Sequence, residues 1–212
     1  MDVTWLGHGC FRLRGRGATV ITDPYPPAAG PRLRGLDADV VTVSHGHDNH
    51  SFTEVVGSDP FLVEGPGEYE ASGVTVLGLS TFHDRDQGAS HGRNTIYVID
   101  LDDVRVCHLG DLGHALDDET LDRLGNIDVL LVPVGGGHAL DAVHAAEVVR
   151  QVEPRVVVPM HFAHPAVKVE LGSLDRFLKE MGVAEAEAQP KLAIQASAGD
   201  SETRLVVLEA RI

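Results

Sequence analysis

The sequence predicts an α/β protein, on three observations. Of its 212 residues, 43% are hydrophobic and 23% charged, and 23 glycines and 11 prolines are typical of a globular α/β chain with many turns. Short runs of apolar and β-branched residues that end in glycine, proline or polar clusters predict strands along the whole chain. Longer segments between the later strands have the caps and apolar spacing of helices. The length predicts a single domain, 1–212, with one core.

The predicted elements alternate between strands and helices. Strands are predicted, in order, at 2–6, 10–13, 18–22, 40–43, 61–63, 68–79 as a hairpin, 94–100, 104–108, 128–132, 155–158, 191–194 and 204–208. Helices are predicted at 52–56 after a Ser51 cap, from Asp117 onward, at 142–152 after an Asp141 cap, and at 171–181. The segment 61–63 is expected to be a buried strand.

The composition excludes several classes of function. A formal charge of −15 opposes electrostatic binding to nucleic acid or to an anionic membrane, because both need a basic surface. Two cysteines, Cys10 and Cys107, define no disulfide framework, so a reduced, cytoplasmic location is expected. No signal peptide is visible after Met1, and no apolar run approaches the ~20 residues of a membrane-spanning helix. A small-molecule substrate is the expected partner, and a homo-oligomer is compatible with the sequence.

A histidine cluster directly follows the strand predicted at 40–43. His45 and His47 are two residues apart, so their rings can face one cation, and His50 is offset and can serve a second. Imidazole nitrogens suit zinc, iron, manganese or nickel. The alternative is a solvated loop that happens to be rich in histidine, but this loop follows a buried strand, where partly charged groups need a partner. The spacing therefore predicts a metal site at a strand end.

Other predicted strands also end in chemically active residues. His83, Asp111 and His161 each follow a strand, and if these strand ends lie together they add three ligands to His45 and His47 at one sheet edge.

Residues beside these strand ends have less certain roles. Asp23 ends the third strand as either a turn carboxylate or a group that orients a metal-bound histidine, and His8 is similarly undecided. His144 is expected at the surface. The loops 85–93 and 135–140 are candidates to cover the site, and 85–93 is expected to be mobile.

With these clusters in view, the chain resembles the metallo-β-lactamase superfamily, and within it the small lidless group around ascorbate-6-phosphate lactonase. The resemblance covers nearly the whole chain. It rests on Trp5-Leu6-Gly7-His8, Thr22-Asp23-Pro24, Ser44-His45-Gly46-His47-Asp48-Asn49-His50, Thr81-Phe82-His83-Asp84, Asn94-Thr95-Ile96-Tyr97, Cys107-His108-Leu109-Gly110-Asp111, Val132-Pro133-Val134-Gly135-Gly136 and Pro159-Met160-His161. It implies a four-layer αββα sandwich, two mixed β-sheets flanked by helices, with a one- or two-metal site at one edge.

The resemblance also implies roles for individual residues. His45, His47 and His83 would hold the first metal, Asp111 would bridge, and His50 and His161 would hold the second. The metal is expected to be zinc, with manganese or iron as alternatives.

The implied activity is metal-assisted hydrolysis of a small, anionic ester, lactone or phosphoester. A divalent ion lowers the pKa of bound water from ~16 toward ~7 and so provides a hydroxide nucleophile. Asp111 is the expected catalytic residue, as the bridge or, in a one-metal enzyme, as the base. His108, His8 and Asp23 are candidates to orient the ligands.

One position departs from the family pattern His-x-His-x-Asp-His. Asn49 occupies the place of the aspartate, and Asp48 lies one residue earlier. An asparagine offers only a neutral carbonyl oxygen, which is a weaker ligand for a hard dication and cannot act as a base. The alternative function is therefore a non-catalytic or degenerate metal-binding protein of the same fold.

Overall fold

The computed structural model describes residues 1–165, 167–196 and 202–211. In these ranges the chain forms two β-sheets and three α-helices. The first sheet has the strand order β12-β1-β2-β3-β4-β5. Its strands are β1 (Asp2–Gly7), β2 (Cys10–Arg14), β3 (Thr19–Thr22), β4 (Val40–Val43), β5 (Phe61–Glu64) and β12 (Leu192–Ala193).

The second sheet has the order β13-β11-β10-β9-β8-β7-β6. Its strands are β6 (Gly67–Ala71), β7 (Val74–Phe82), β8 (Arg93–Leu101), β9 (Val104–His108), β10 (Val129–Pro133), β11 (Val156–Met160) and β13 (Arg204–Leu205). Both sheets are mixed: β1 to β3 and β6 to β9 pair antiparallel, whereas β3–β4–β5 and β9–β10–β11–β13 pair parallel. The predicted αββα fold class is confirmed.

A continuous hydrophobic core joins the two sheets. It includes Trp5 and Phe11 from the first sheet and Ile99 from the second, each at most 1% exposed. Burying side chains of this size stabilises the fold by about 2 kcal/mol each. The hydroxyl of Tyr97 also donates to the carbonyl of Val43 over 2.7 Å, which ties β8 to the end of β4.

Three helices cover the second sheet: α1 (Asp118–Leu124), α2 (Ala142–Val152) and α3 (Leu174–Glu180). Helix α2 packs on β10, and both other helices pack on α2. The side chain of Asp141 caps α2, as predicted, by accepting the backbone N–H of His144. Asp117, predicted in the first turn of its helix, instead caps α1 by accepting the backbone N–H of Thr120. Helix α3 begins after the predicted position 171, because Gly172 instead donates to Gly135 and holds the loop after β10.

A loop and a 3-10 helix cover the outer face of the first sheet. Leu33, Leu36 and Val56 pack there on Ile21 and Val41. The helix predicted at 52–56 is a 3-10 helix, Thr53–Val55, and the cap predicted at Ser51 is wrong, since that hydroxyl donates to the carbonyl of His47 instead.

The strand predicted at 61–63 is β5, which lies at the edge of the first sheet. Only Val63 is buried, while Phe61 and Leu62 are 46% and 40% exposed. The expectation that the whole segment is buried is therefore wrong, because an edge strand has fewer neighbours to cover it.

Both cysteines are buried free thiols. Within the described ranges, every helix is too short or too polar to cross a bilayer.

Candidate metal centre

Strand ends from both sheets meet around one cavity of about 510 Å³. The ends of β4, β7, β9 and β11 bring His47, His83, Asp111 and His161 to its wall. His45 and His50, in the loop after β4, lie within metal-ligand distance of these residues. Parallel pairing of β9, β10 and β11 explains part of this convergence, because their carboxyl ends lie at the same sheet edge. The structure thus brings all six predicted side chains together.

The six side chains form two sets with metal-ligand spacing. The first group is His45, His47 and His83, and the second group is His50, Asp111 and His161. In each group, one ligand atom per residue lies within 4.8 Å of those of the other two. Five of the six side chains are buried, and only His47 is exposed.

The carboxylate of Asp111 lies between the two groups. Its Oδ2 is 3.3 Å from Nε2 of His50 and 3.3 Å from Nε2 of His83. The same oxygen is 3.9 Å from Nε2 of His45, and Oδ1 is 3.7 Å from Nδ1 of His161. These separations are long for hydrogen bonds but leave space for a cation between the atoms. Asp111 is therefore placed to contact ions in both groups.

Several of these buried atoms have no hydrogen-bond partner in the structure. They are Nε2 of His45, His50, His83 and His161, Nδ1 of His83 and His161, and Oδ1 of Asp111. A buried polar atom without a partner costs about 1–3 kcal/mol, so such a cluster needs a ligand. Imidazole nitrogen and carboxylate oxygen are the donors that zinc and similar ions take, so the residues present fit a divalent metal.

Asp23 orders the first histidine cluster through hydrogen bonds. Its Oδ2 accepts from Nδ1 of His50 over 2.9 Å and from the hydroxyl of Ser44 over 2.5 Å, while Oδ1 accepts from the backbone N–H of Ser44. The Ser44 oxygen in turn accepts from Nδ1 of His45 over 2.9 Å. These bonds place protons on the Nδ1 atoms and leave both Nε2 atoms without a hydrogen-bond partner. Asp23 also lies within 4.8 Å of ligand atoms of His45 and His50, but its oxygens are already engaged by these donors.

Asp23 has an unusual backbone conformation. Its φ is +40°, and His8 and His161 beside the cavity have φ of +49° and +51°. Non-glycine residues with positive φ are strained and cluster at functional sites. Three such residues at the candidate metal centre are therefore consistent with a functional site.

Asn94 fixes the position of Asp111. Its Oδ1 accepts the backbone N–H of Asp111 over 3.0 Å, and its Nδ2 donates to the carbonyl of Leu109 over 2.9 Å. Gly110 lies between them with φ of +56°, and an added Cβ would lie 2.3 Å from Oδ1 of Asn94. The turn that presents Asp111 therefore requires glycine at 110.

The pKa values of the buried histidines shift in opposite directions. Burial opposes the charged form of His50, but Asp111 and Asp23 outweigh it and raise the pKa of His50 to about 10. Burial also opposes the charge on Asp111, yet His161 and His50 hold its pKa well below the usual range. Burial, reinforced by His50, lowers the pKa of His45 to about 3 and that of His161 to about 4. Without metal, His50 is therefore protonated next to an ionised Asp111, and the rings of His45 and His161 are neutral.

His8 and His108 are buried next to the centre but bond elsewhere. Nε2 of His8 contacts the carbonyl of Ala29 at 2.8 Å. Nδ1 of His108 accepts the N–H of Gly110 at 3.2 Å, so its Nε2 donates to the carbonyl of Gly9 at 2.8 Å. His108 thus ties β9 to the β1–β2 turn. Neither histidine has a hydrogen bond to a member of the two groups in the described ranges, so direct orientation of a ligand by them has no support.

The two residues of the departing position line the cavity. Asn49 is half-buried, and Asp48 is exposed. Asp48 belongs to neither group, so no carboxylate takes the place that Asn49 leaves, among the residues described.

One of the two candidate loops, 135–140, lines the cavity, and the other, 85–93, contacts that loop. Gly136, Gly137 and His138 line the cavity, and His138 stacks on His91 of the loop 85–93 with ring centroids 3.7 Å apart. The carboxylate of Asp84 organises that loop by accepting four backbone N–H groups, at residues 86, 88, 90 and 91. A loop expected to be mobile is thus pinned by its own hydrogen bonds.

Sequence reasoning missed Ser44, Asn94 and the pair His91 and His138 as parts of the site. Ser44 and Asn94 are polar residues at strand ends flanked by apolar runs, a signal that could have marked them. The stacked histidines left no comparable signal, because residues 91 and 138 meet only through the fold.

The comparisons with known proteins agree on one family. The family described as "Beta-lactamase superfamily domain" matches residues 2–161. A UPF0173 metal-dependent hydrolase of Thermococcus onnurineus is 31% identical over 190 residues, which cover 76% of this chain and 84% of the relative. Another from Methanopyrus kandleri is 26% identical over 86% of this chain and 94% of the relative.

Solved structures show the same similarity. A protein from Thermotoga maritima, described as a proposed Zn-dependent hydrolase of the metallo-beta-lactamase superfamily, superposes with a TM-score of 0.79 at 34% identity, covering 98% of this chain and 99% of that one. An isothiocyanate hydrolase from Delia radicum gut bacteria has a TM-score of 0.69 at 15% identity, covering 92% and 100%. The second similarity concerns the fold alone.

Proposed function

The chain belongs to the β-lactamase superfamily, among the UPF0173 metal-dependent hydrolases, and from this premise we propose that it hydrolyses a small anionic ester, lactone or phosphoester with one or two divalent ions. The observation that carries the proposal is the convergence of unpartnered histidine nitrogens around Asp111 in one cavity.

The ligand assignment follows the two groups. His45, His47 and His83 would hold the first ion through three imidazoles, a set found at many catalytic zinc sites. His50, Asp111 and His161 would hold the second, and the Asp111 carboxylate lies near histidines of both groups. Zinc is the first choice because five of the six ligands are imidazoles, with manganese or iron as alternatives. The second ion is held more weakly, since Asn49 offers no anionic oxygen.

When bound, a divalent ion lowers the pKa of water and polarises the scissile bond. The chain's own residues do the rest. Asp23 and Ser44 hold the rings of His45 and His50 in position through their Nδ1 protons. Asp111 Oδ1, which has no hydrogen-bond partner, is placed to accept a proton from the attacking water.

The cavity can hold a small substrate. Its volume of about 510 Å³ lies within the usual range of small-molecule sites, roughly 300–1,000 Å³. Ala28, Ala29 and Leu171 contribute apolar surface to its lining. The lactone and phosphoester classes are proposed from the family resemblance, including that to ascorbate-6-phosphate lactonase. The buried free thiols of Cys10 and Cys107 are compatible with a reducing compartment such as the cytoplasm.

A non-catalytic metal-binding protein is the second candidate, favoured by Asn49 in the cavity wall. A panel of chromogenic lactones, phosphomonoesters, phosphodiesters and carboxylic esters separates the two. The protein is loaded with zinc, manganese or iron, and Asp111→Asn is the matched control. Turnover that is lost with chelator and in Asp111→Asn supports the hydrolase. Stoichiometric metal binding with no turnover on the panel favours the binding protein.

A further inference from the structure

Four arginines surround a cavity on the outer side of the first sheet. Arg12, Arg32, Arg34 and Arg211 line a space of about 560 Å³, and no acidic residue is among the described residues that line it. The chain has 17 Lys and Arg against 32 Asp and Glu. A cluster of four arginines is therefore a local positive patch on a chain with a negative net charge.

The fold assembles this cluster from distant segments. Arg12 lies on β2 between Phe11 and Leu13, whose side chains enter the core between the sheets, so Arg12 faces outward. Arg32 and Arg34 lie in the loop that covers the outer face. Near the end of the chain, residue 211 is held by its backbone N–H, which donates to the carbonyl of Trp5 over 2.9 Å.

These guanidinium groups lack protein partners. Within the described ranges, none of the four forms an ion pair or a side-chain hydrogen bond. By contrast, Arg85, Arg105 and Arg155 each pair with an aspartate. An arginine side chain stays charged at all physiological pH values, so an anion bound in this cavity would meet fixed positive charge. Arg32, Arg34 and Arg211 are exposed, and Arg12 is half-buried.

The base of the cavity is apolar. Leu6, Leu33 and Leu36 line it and are buried in the covering layer. A neighbouring cavity of about 790 Å³ shares Arg32 and Arg34 and adds the ring of Phe52. Glu54 also lines this neighbouring cavity, so the lining without an acidic residue is that of the first cavity, while the second contributes apolar and aromatic contacts.

We propose that this arginine cavity binds a small organic phosphate whose ring or apolar part rests on the leucines and on Phe52. Guanidinium groups match phosphate oxygens through paired N–H donors, and several of them can share one diphosphate. Neither cavity contains a residue of the two metal-binding groups, so the proposal goes beyond the proposed hydrolysis and does not depend on it.

The test is calorimetric titration of the metal-loaded protein with ADP, pyrophosphate and orthophosphate. Sulfate and citrate serve as other anions at constant ionic strength. The variant is the pair Arg12→Gln and Arg34→Gln, made singly and together. The control is Arg176→Gln, which removes one exposed charge on α3. Thermal unfolding checks that each variant is folded.

We expect saturable binding of ADP and pyrophosphate to the wild type and to Arg176→Gln. Each cavity substitution should weaken it roughly tenfold, because each removes one charge-assisted contact. Equal affinity in the double variant would place the phosphate at the metal centre and overturn the proposal. So would the absence of saturable binding, or citrate binding as tightly as pyrophosphate. A wild-type dimer that becomes a monomer in the double variant would assign the cavity to an acidic surface of a second copy instead.

Discussion

The two groups of the metal centre are held in the protein in different ways. The first group has three imidazoles and includes the exposed His47, whereas every side chain of the second group is buried. Without metal, the second group keeps a proton at His50, with a pKa of about 10, next to the Asp111 carboxylate. His45 of the first group has a pKa of about 3 and is neutral.

This difference shows how a buried site is stabilised before its ion arrives. A proton partly takes the place of the metal in the second group, so an ion there must displace it. In the first group, burial opposes the charge on His83 but Asp111 raises its pKa as well, less than that of His50, and the group has a complete set of three nitrogen ligands. We therefore expect the first group to fill first.

Asp111→Asn should have the largest effect, because Asp111 contacts histidines of both groups. We expect activity to fall at least about a hundredfold and the second ion to be lost. Turnover and metal content per chain measure this. Asp122→Asn, an exposed aspartate on α1, should match the wild type. Two tightly bound ions in Asp111→Asn would contradict its shared position.

His47→Ala should abolish the first ion while leaving the second group intact. Zinc at about a hundred times its dissociation constant should raise the wild-type Tm by roughly 5–10 °C, since binding to the native state adds about 2.7 kcal/mol. Most of this increase should disappear in His47→Ala. His144→Ala, on α2 and outside both groups, is the control. An undiminished zinc-dependent Tm in His47→Ala would exclude it as a ligand.

Asp23→Asn should weaken metal binding by about 10–100-fold, the usual effect of removing a group that orients ligands. Ser44→Ala should weaken it less, because the hydroxyl's bonds to His45 and Asp23 are lost while Asp23 still holds His50. Competition with a chromophoric chelator measures both affinities, and Ser58→Ala is the control for a lost serine. A larger loss of metal affinity in Ser44→Ala than in Asp23→Asn would mean that Asp23 is not the main residue that orients the ligands.

The proton at His50 predicts a pH dependence that is stronger for the second group than for the first, where Asp111 raises the pKa of His83 less. Because His50 is protonated below a pKa of about 10, binding of the second ion should release about one proton at neutral pH and should tighten as pH rises toward 10. The first ion should release almost none at His45, which is already neutral. Calorimetry in buffers of different ionisation enthalpy counts these protons. If binding of the first ion and of the second released equal numbers of protons, the proposed difference between the two groups would be wrong.

Contiguous motifs made most of this centre predictable from sequence. His45, His47 and His50 follow one strand, and each remaining ligand candidate follows another. Helix α2 was predicted with its observed bounds, since Asp141 caps it and apolar residues follow at helical spacing. The fold class was predictable through the family resemblance, although the pairing order of the strands in the described ranges was not.

What escaped prediction depends on contacts between distant segments. Ser44 and Asp23 are 21 residues apart, and Asn94 and Asp111 are 17 apart. The arginine cavity joins Arg12 to Arg211, which no local pattern indicates. The 3-10 helix at Thr53–Val55 shows the same limit, because tertiary contacts fix its short turn.

The most direct test is a stepwise metal titration of protein purified without chelator or nickel, with elemental analysis per chain, for the wild type and Asn49→Asp. We expect the wild type to bind two ions, the second with lower affinity than the first. In Asn49→Asp the second should tighten by roughly tenfold, because an anionic oxygen is added at the position next to His50. A chain that binds no ion, even after zinc, manganese and iron are added, would contradict the metal centre.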